Sequence, residues 1–186
     1  SGGHFGAYLD LDADKAQNEV EQLLKYRDIA SQPECDAAIE DIVNEAIVGD
    51  HNESPVNIIL DKLQVSDKVK TIVREEFMNV LSLMQFNSYS HDIFRKWYID
   101  GRLPYHVIID EKNPKGGIRE LRYIDPLQLR KIKEIEEKAD PKTGAKLIVK
   151  QEEYFLFQDK KMNSADTGVK IHPDAIIYTT SGMLDP

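Results

Sequence analysis

The stretch IFRKWYIDGRLPYHVII, residues 93–109, decides the fold class, because its pattern changes from helix to strand. Four apolar residues in the first half of this stretch have the spacing of one helix face: Ile93, Phe94, Trp97 and Tyr98. We interpret the three aromatic ones as core residues, with a partner-binding face as the alternative. Gly101 is a typical helix end, and three cations lie near it, where they suit the helix dipole: Arg95, Lys96 and Arg102. Tyr105 to Asp110 then favours a strand.

Upstream of this stretch the sequence predicts three further helices. Their limits are Asp14 to about Ser31, Pro33 to Gly49, and Ser66 to Met84. The third has the longest apolar stripe, which runs from Val69 to Met84 at helical spacing and predicts a core-facing side. We expect a break near Asn87 or Ser88 before the fourth helix, and a short strand at Val56 to Leu60.

Downstream of residue 103 the pattern is that of strands and turns. Six segments beyond the strand at Tyr105 are strand candidates: Ile118 to Ile124, Leu129 to Ile135, Leu147 to Val149, Tyr154 to Phe157, Val169 to Ile171 and Ile176 to Tyr178. Turns are expected at residues 113–117, 140–144 and 163–168. Helices followed by antiparallel strands predict an α+β fold, with N-terminal helices packed on a C-terminal antiparallel sheet. We expect a single domain over residues 1–186, mainly helical at 1–103 and mainly β at 104–186.

Composition and charge exclude several classes of protein. The chain has 186 residues, 41% hydrophobic and 31% charged, which suits a globular domain rather than a disordered chain. We see no apolar run long enough for a membrane span and no secretory signal at Ser1 to His4. Cys35 is the sole cysteine, so a disulfide within the chain is excluded. The first residue is not Met, and we suspect a processed or trimmed chain.

The net charge of −9 is uneven along the chain. Residues 1–110 hold 20 Asp and Glu against 10 Lys and Arg, and residues 111–186 hold 13 against 14. The first part therefore carries −10 and should repel a phosphate backbone. Such a surface suits a basic partner or simple solubility.

No pattern of reactive residues predicts a catalytic, cofactor or metal site. Asp10, Asp12, Asp14 and Glu21 have the spacing of a calcium loop, but Lys15 stands where the loop needs Gly. We interpret these carboxylates as helix N-terminal acidic residues. The sequence has five histidines, and no two of them have the spacing of a zinc-binding pair on a helix: His4, His51, His91, His106 and His172. Phosphate-binding glycine loops and a Gly-x-Ser-x-Gly elbow are also absent, and the adjacent glutamates diverge.

Four stretches, in order, resemble the portal vertex protein of T-even-type tailed phages. The most specific is YRDIASQPE at residues 26–34 with AAIEDIVNEAIV at 37–48. The others are FRKWYIDGR at 94–102 before a Tyr-x-Val-Ile-Ile strand, LRYIDP at 121–126 and IYTTSGMLD at 177–185. The resemblance covers nearly the whole chain.

The resemblance implies a structural role without catalytic residues. Portal subunits of this family begin with an α/β wing and form a dodecameric ring, through which double-stranded DNA is packaged and later ejected. The chain looks like the wing and ends where the stem would begin, so the stem, clip and crown are absent. The implied partners are other copies, capsid or scaffold proteins, and the terminase and neck proteins through the absent regions. The implied location is the virion's portal vertex, and the host cytoplasm during assembly.

Two other interpretations remain open at this stage. An acidic α+β adaptor could bind a basic protein partner. An enzyme could assemble a site from His106, Asp125 and Cys35 by folding. For the chain taken alone we expect a monomer or weak association.

Overall fold

The computed structural model describes residues 13–48, 54–139, 146–158 and 168–182. Four helices come first: α1 Ala13–Ala30, α2 Pro33–Ala46, α3 Asp67–Leu83 and α4 Phe86–Asp100. Six strands follow: β1 Arg102–Ile109, β2 Ile118–Tyr123, β3 Leu129–Ala139, β4 Lys146–Phe157, β5 Val169–Ile171 and β6 Ile176–Thr180. The predicted α+β fold, with N-terminal helices and antiparallel strands, is confirmed.

The strands form two three-stranded antiparallel sheets rather than the single sheet expected. Their orders are β2-β1-β6 and β3-β4-β5. The segments at Leu147 and Tyr154, predicted separately, belong to one strand, β4, which pairs along its length with β3. The predicted turn at 140–144 lies outside the described residues, and so does that at 163–168 except for Gly168.

Two similar 3-10 turns carry the chain between the sheets. Asp125 precedes Pro126–Gln128 on the way from β2 to β3, and His172 precedes Pro173–Ala175 on the way from β5 to β6. In each turn the leading side chain accepts a hydrogen bond from the backbone N–H two residues on, at 3.0 Å for Asp125 and 3.3 Å for His172. The proline fixes φ and needs no hydrogen-bond partner for its nitrogen.

Helix α4 has a residue with a left-handed backbone at each of its ends. Gly101 has φ 67° and donates its N–H to the carbonyl of Trp97, which ends α4 as predicted. Between α3 and α4 the left-handed residue is Gln85, with φ 50°. The break therefore comes earlier than the expected Asn87 or Ser88. Gly49, the expected end of α2, lies outside the described residues; α2 ends at Ala46.

The core has two buried clusters, one under the helices and one between the sheets. The first consists of Ile93 of α4 with Leu103, Tyr105 and Leu121 of the sheet. The second consists of Ile124, Leu129, Phe155 and Ile176. Among the aromatic residues expected in the core, Trp97 packs against the first cluster, whereas Tyr98 is 41% exposed.

The segment from Val56 to Leu60 does not form the short strand that the sequence suggested. It has no ladder partner and no regular secondary structure. Its buried residue is Leu60, whereas Ile59 is among the most exposed apolar residues described. A run of β-branched residues favours a strand only when a neighbouring strand is available to pair with it.

Candidate interaction surface and its ion-pair frame

Arg27 of α1 joins the helices to the sheets. Its Nε donates to Asp100 Oδ1 at 2.8 Å and its Nη2 to Asp100 Oδ2 at 2.7 Å. The same guanidinium donates to Asp125 at 2.9 and 3.2 Å. The Asp100 side chain is 3% exposed, so its charge depends on this partner. Hydrogen bonding to Asp100 raises the pKa of Arg27, and the arginine keeps its charge.

We call the ion pairs of Arg27 with Asp100 and Asp125 the ion-pair frame. Asp125 has two structural roles in it. Its Oδ1 accepts the N–H of Leu127 and also the Nη2 of Arg27. The turn that starts β3 is thereby fixed to the C-terminal turn of α1. Arg27 and Asp125 belong to two of the stretches that carry the portal resemblance, and their contact gives a physical reason for both residue types.

Two further arginines link elements that are distant in sequence. Arg95 of α4 donates to Glu40 of α2 at 2.8 Å and also pairs with Asp36. Arg102 at the start of β1 donates to Glu19 of α1 at 3.1 Å. The sequence placed both arginines near a helix end, where their charge suits the dipole. The structure adds that Arg95 joins α4 to α2, whereas Arg102 joins strand β1 to α1.

Tyr105 and Tyr123 lie side by side beneath this frame. Their rings meet edge to face, with centroids 5.9 Å apart, on paired strands β1 and β2. Burial raises the pKa of both phenols, and the nearby charges of Asp100 and Asp125 raise that of Tyr123 further. Lys96 Nζ lies 5.0 Å from the Tyr123 ring centroid. These tyrosines act as neutral packing groups.

The N-terminal half of α3 carries apolar residues that nothing in the described part covers fully. Val80 and Leu83 of the helix pack on the first core cluster, as does Met84 just beyond it, and Val73 and Phe77 are half-buried. Four residues along and just before the helix remain at least two-fifths exposed: Leu63, Val65, Val69 and Ile72. We call these four residues the α3 stripe. The amphipathic pattern predicted a core-facing side from Val69 to Met84, and in the structure the first two residues of that side, Val69 and Ile72, are exposed.

Helix α2 presents a negatively charged surface. Its sequence PECDAAIEDIVNEA has five acidic residues and no basic one. Asp36 and Glu40 pair with Arg95, while Glu34, Asp41 and Glu45 are exposed. The excess negative charge of the first part of the chain is thus concentrated on a helix that also exposes Ile42.

The outer strand β6 has the opposite character to the other outer strand of its sheet. Its sequence is IIYTT, without a charged residue, and both Ile177 and Tyr178 are exposed. Strand β2 exposes Arg119, Glu120 and Arg122 instead. Edge strands are usually protected by charges, so β2 is protected and β6 is not. These two side chains lie on opposite faces of the strand, and the Tyr178 ring stacks on Phe155 with ring centroids 5.8 Å apart.

Comparison with known proteins identifies the family of this chain. The family model described as bacteriophage T4-like portal protein (Gp20) matches residues 19–186. The chain belongs to this portal protein family. It is 35% identical over 175 residues to the portal protein of Vibrio phage KVP40, covering 89% of this chain and 33% of the relative. It is 41% identical over 125 residues to the portal protein of Salmonella phage ViI, covering 67% and 22%. The chain therefore spans a third or less of these relatives' length.

The residues that the sequence offered for an enzyme lie on separate elements of this portal-family chain. Cys35 is in the first turn of α2, and His106 lies on β1 opposite Arg122 and Ile176. Asp125 is engaged by Arg27 and by the 3-10 turn. Of the other histidines, His91 is exposed on α4 and His172 caps the turn before β6. His4 and His51 lie outside the described residues.

The carboxylates with calcium-loop spacing fall mostly outside the described part of the chain. Asp10 and Asp12 are not described, and Asp14 belongs to the first turn of α1. Within the described ranges, no group of three or more His, Cys, Asp or Glu side chains could hold a metal ion. The same ranges contain no helix with the length and hydropathy of a membrane span.

Proposed function

We propose that this chain is part of a structural subunit of the phage portal, the ring through which double-stranded DNA enters and leaves the capsid. The observation that carries the proposal is the family match over residues 19–186. The assembled subunit forms a homododecamer at one vertex of the capsid. It reaches the virion from the host cytoplasm, where the head is assembled.

Within that subunit we assign residues 1–186 to the wing. The α+β fold, with helices before strands, supports this assignment. The stem, clip and crown belong to the part of the relatives' length that this chain does not match. Contacts with terminase and neck proteins belong to those regions, and the wing contacts capsid or scaffold proteins and neighbouring copies.

The physical properties of the described residues suit a rigid peripheral part of a ring. The ion pairs of Arg27, Arg95 and Arg102 hold helices and sheets together. The net charge of −10 over residues 1–110 disfavours adhesion to a passing DNA backbone. The subunit has no catalytic task, and ATP hydrolysis during packaging belongs to the terminase.

The proposal is tested by locating and counting the chain in purified virions. Antibodies raised against the chain should label a single vertex of each head in electron micrographs. Quantitative mass spectrometry, standardised against the major capsid protein, should give a copy number that fits one dodecamer per particle. Binding of the same antibodies after absorption with the purified chain is the control.

Two results would overturn the portal assignment. Labelling of every vertex, with copy numbers near that of the capsid protein, would make the chain a shell component. Absence of the chain from virions would favour the acidic adaptor, which the exposed carboxylates of α2 could support by binding a basic protein.

A further inference from the structure

Helices α1 and α2 form a unit that lies outside both core clusters. We call Ala13–Ala46, in which Ser31 and Gln32 alone connect the two helices, the helical hairpin. The members of both core clusters come from Val80 onward, and none of the described side chains of the helical hairpin belongs to either cluster. The contacts that build the two cores therefore do not hold the helical hairpin in place.

The helical hairpin has a small apolar docking surface. Among its described residues the buried apolar side chains are Leu23, Ala30 and Val43. Leu24 and Ile29 are at least half exposed, although they are also apolar. Because the stabilisation from apolar burial scales with the area removed from water, polar contacts must contribute much of the attachment.

Two arginines from the rest of the fold contact the helical hairpin through exposed carboxylates. Arg95 of α4 pairs with Asp36 and with Glu40, at 2.8 Å from the latter. Arg102 of β1 pairs with Glu19 at 3.1 Å. The three carboxylate side chains are between 43% and 51% exposed, so water and salt reach them. Ion pairs in this setting weaken as the ionic strength rises.

The third attachment is the ion-pair frame, in which the arginine belongs to the helical hairpin. Arg27 pairs with Asp100 at 2.7 Å and with Asp125 at 2.9 Å. The Asp100 side chain is buried, so salt screens this attachment much less than the other two. The three arginines thus join the helical hairpin by ionic contacts to α4, to β1 and to the turn before β3.

The connection between the helical hairpin and α3 is loosely packed. Its described residues, 47–48 and 54–66, form no helix or strand. Val48 and Ile59 are more than two-thirds exposed, so their side chains do not fix the connection to the fold. Long connections without secondary structure are uncommon in compact domains and are typical of functional loops and linkers. This connection therefore permits the helical hairpin to move relative to α3.

We propose that the helical hairpin is a detachable arm, which undocks as one unit while both core clusters stay folded. Undocking separates the three arginine attachments together and exposes the Asp100 carboxylate to solvent. The undocked helices lose most of their order, because helices of this length are weakly stable in water without packing. Docking weakens as salt screens the pairs of Arg95 and Arg102. The inference concerns a single copy and does not depend on the proposed function.

Hydrogen exchange of the purified chain, followed by mass spectrometry of its peptides, tests this inference. Amides that exchange through local opening report the free energy of that opening, and amides of the core report global unfolding. We expect peptides of the helical hairpin to exchange faster than those of β1 and β2. Raising NaCl from about 0.05 M to about 0.5 M should accelerate exchange of the helical hairpin about tenfold. Peptides of β1 and β2, the internal reference, should not follow that change.

Two neighbouring cations of α4 provide matched variants. Arg95→Ala should accelerate exchange of the helical hairpin at low salt by about five- to tenfold, because both of its carboxylate contacts are lost. The further acceleration by salt should be smaller in this variant, since fewer screened pairs remain. Lys96→Ala is the control: its contacts are with Asp92 and the Tyr123 ring, which lie outside the helical hairpin. That variant should leave exchange of the helical hairpin unchanged.

Three results would overturn the proposal. Equal protection of the helical hairpin and of β1 and β2, with the same response to salt, would show a single cooperative unit. Faster exchange of the helical hairpin without any response to salt would show that the ion pairs do not dock it. The same conclusion would follow if Lys96→Ala accelerated exchange as much as Arg95→Ala. None of these results bears on the portal assignment, so the two proposals fail separately.

Discussion

Arg27 and Asp100 form a two-point ion pair between residues 73 positions apart in the chain. Parallel hydrogen bonds of 2.8 and 2.7 Å orient the guanidinium as well as neutralising the carboxylate. Asp100 is the last residue of α4, and Gly101 alone separates it from Arg102, the first residue of β1. This pair therefore fixes α1 at the point where the helical layer passes into the sheets.

Replacing Arg27 by Ala should destabilise the fold by about 3 kcal/mol, because it leaves the Asp100 carboxylate buried without its partner. Denaturant unfolding followed by fluorescence of Trp97, the single tryptophan, measures the loss. The double variant Arg27→Gln with Asp100→Asn should recover part of it, since neither residue then carries an uncompensated charge. Arg122→Ala is the control: its ion pair with Glu120 is exposed and should be worth less than about 1 kcal/mol. Equal losses at Arg27 and Arg122 would contradict the account.

The two left-handed residues at the ends of α4 should respond in opposite directions. Gln85→Gly should raise stability by about 0.5–1 kcal/mol, because glycine adopts the φ of 50° without steric cost. Gly101→Ala should lower stability by about 1 kcal/mol for the converse reason, at φ 67°. Thermal melts of the two variants beside the unchanged chain check both signs, and a stabilising Gly101→Ala would be incompatible with this backbone geometry.

The paired 3-10 turns should differ in how much their leading residues matter. Asp125→Ala removes both the turn hydrogen bond and the Arg27 contact, so we expect a loss of about 2 kcal/mol. His172→Ala removes the turn hydrogen bond and a highly exposed contact with the Asp174 carboxylate, so the loss should stay below about 1 kcal/mol. The comparison is made by urea unfolding of both variants. Similar losses would mean that Asp125 acts only as a turn residue.

Stability should fall at alkaline pH because of the buried tyrosines. The folded pKa values of Tyr105 and Tyr123 lie above the ordinary 10.0, so above that pH the unfolded chain loses phenolic protons that the folded chain retains. Their contribution is fully present below pH 10.0 and declines as the pH rises further. Denaturation midpoints measured between about pH 9 and pH 11 should decline less steeply in Tyr123→Phe. Tyr98→Phe, at an exposed ring, should keep the slope of the unchanged chain.

The sequence predicted the helices well, because apolar spacing is a local property. The break before α4 was misplaced because Gln85 is not a residue type that signals a left-handed backbone, whereas the nearby Asn87 is. The α3 stripe shows the limit of periodicity: the spacing identifies the apolar face, but it says nothing about what covers that face.

The ion-pair frame could not be derived from spacing, since Arg27 meets Asp100 and Asp125 only after the chain folds. The resemblance to portal proteins included the stretches that contain Arg27 and Asp125. A physical reason for these two residue types was not apparent from the sequence. The division of the strands into two sheets was also missed, because the turns at Pro126 and Pro173 look like ordinary loop signals in sequence.

Electron microscopy of the complete gene product that contains this chain tests the central claim most directly. The portal account predicts rings with a central channel, with the region described here at their periphery. The account would be contradicted if the protein remained monomeric or dimeric at concentrations where a ring should form. That result would favour an acidic adaptor instead.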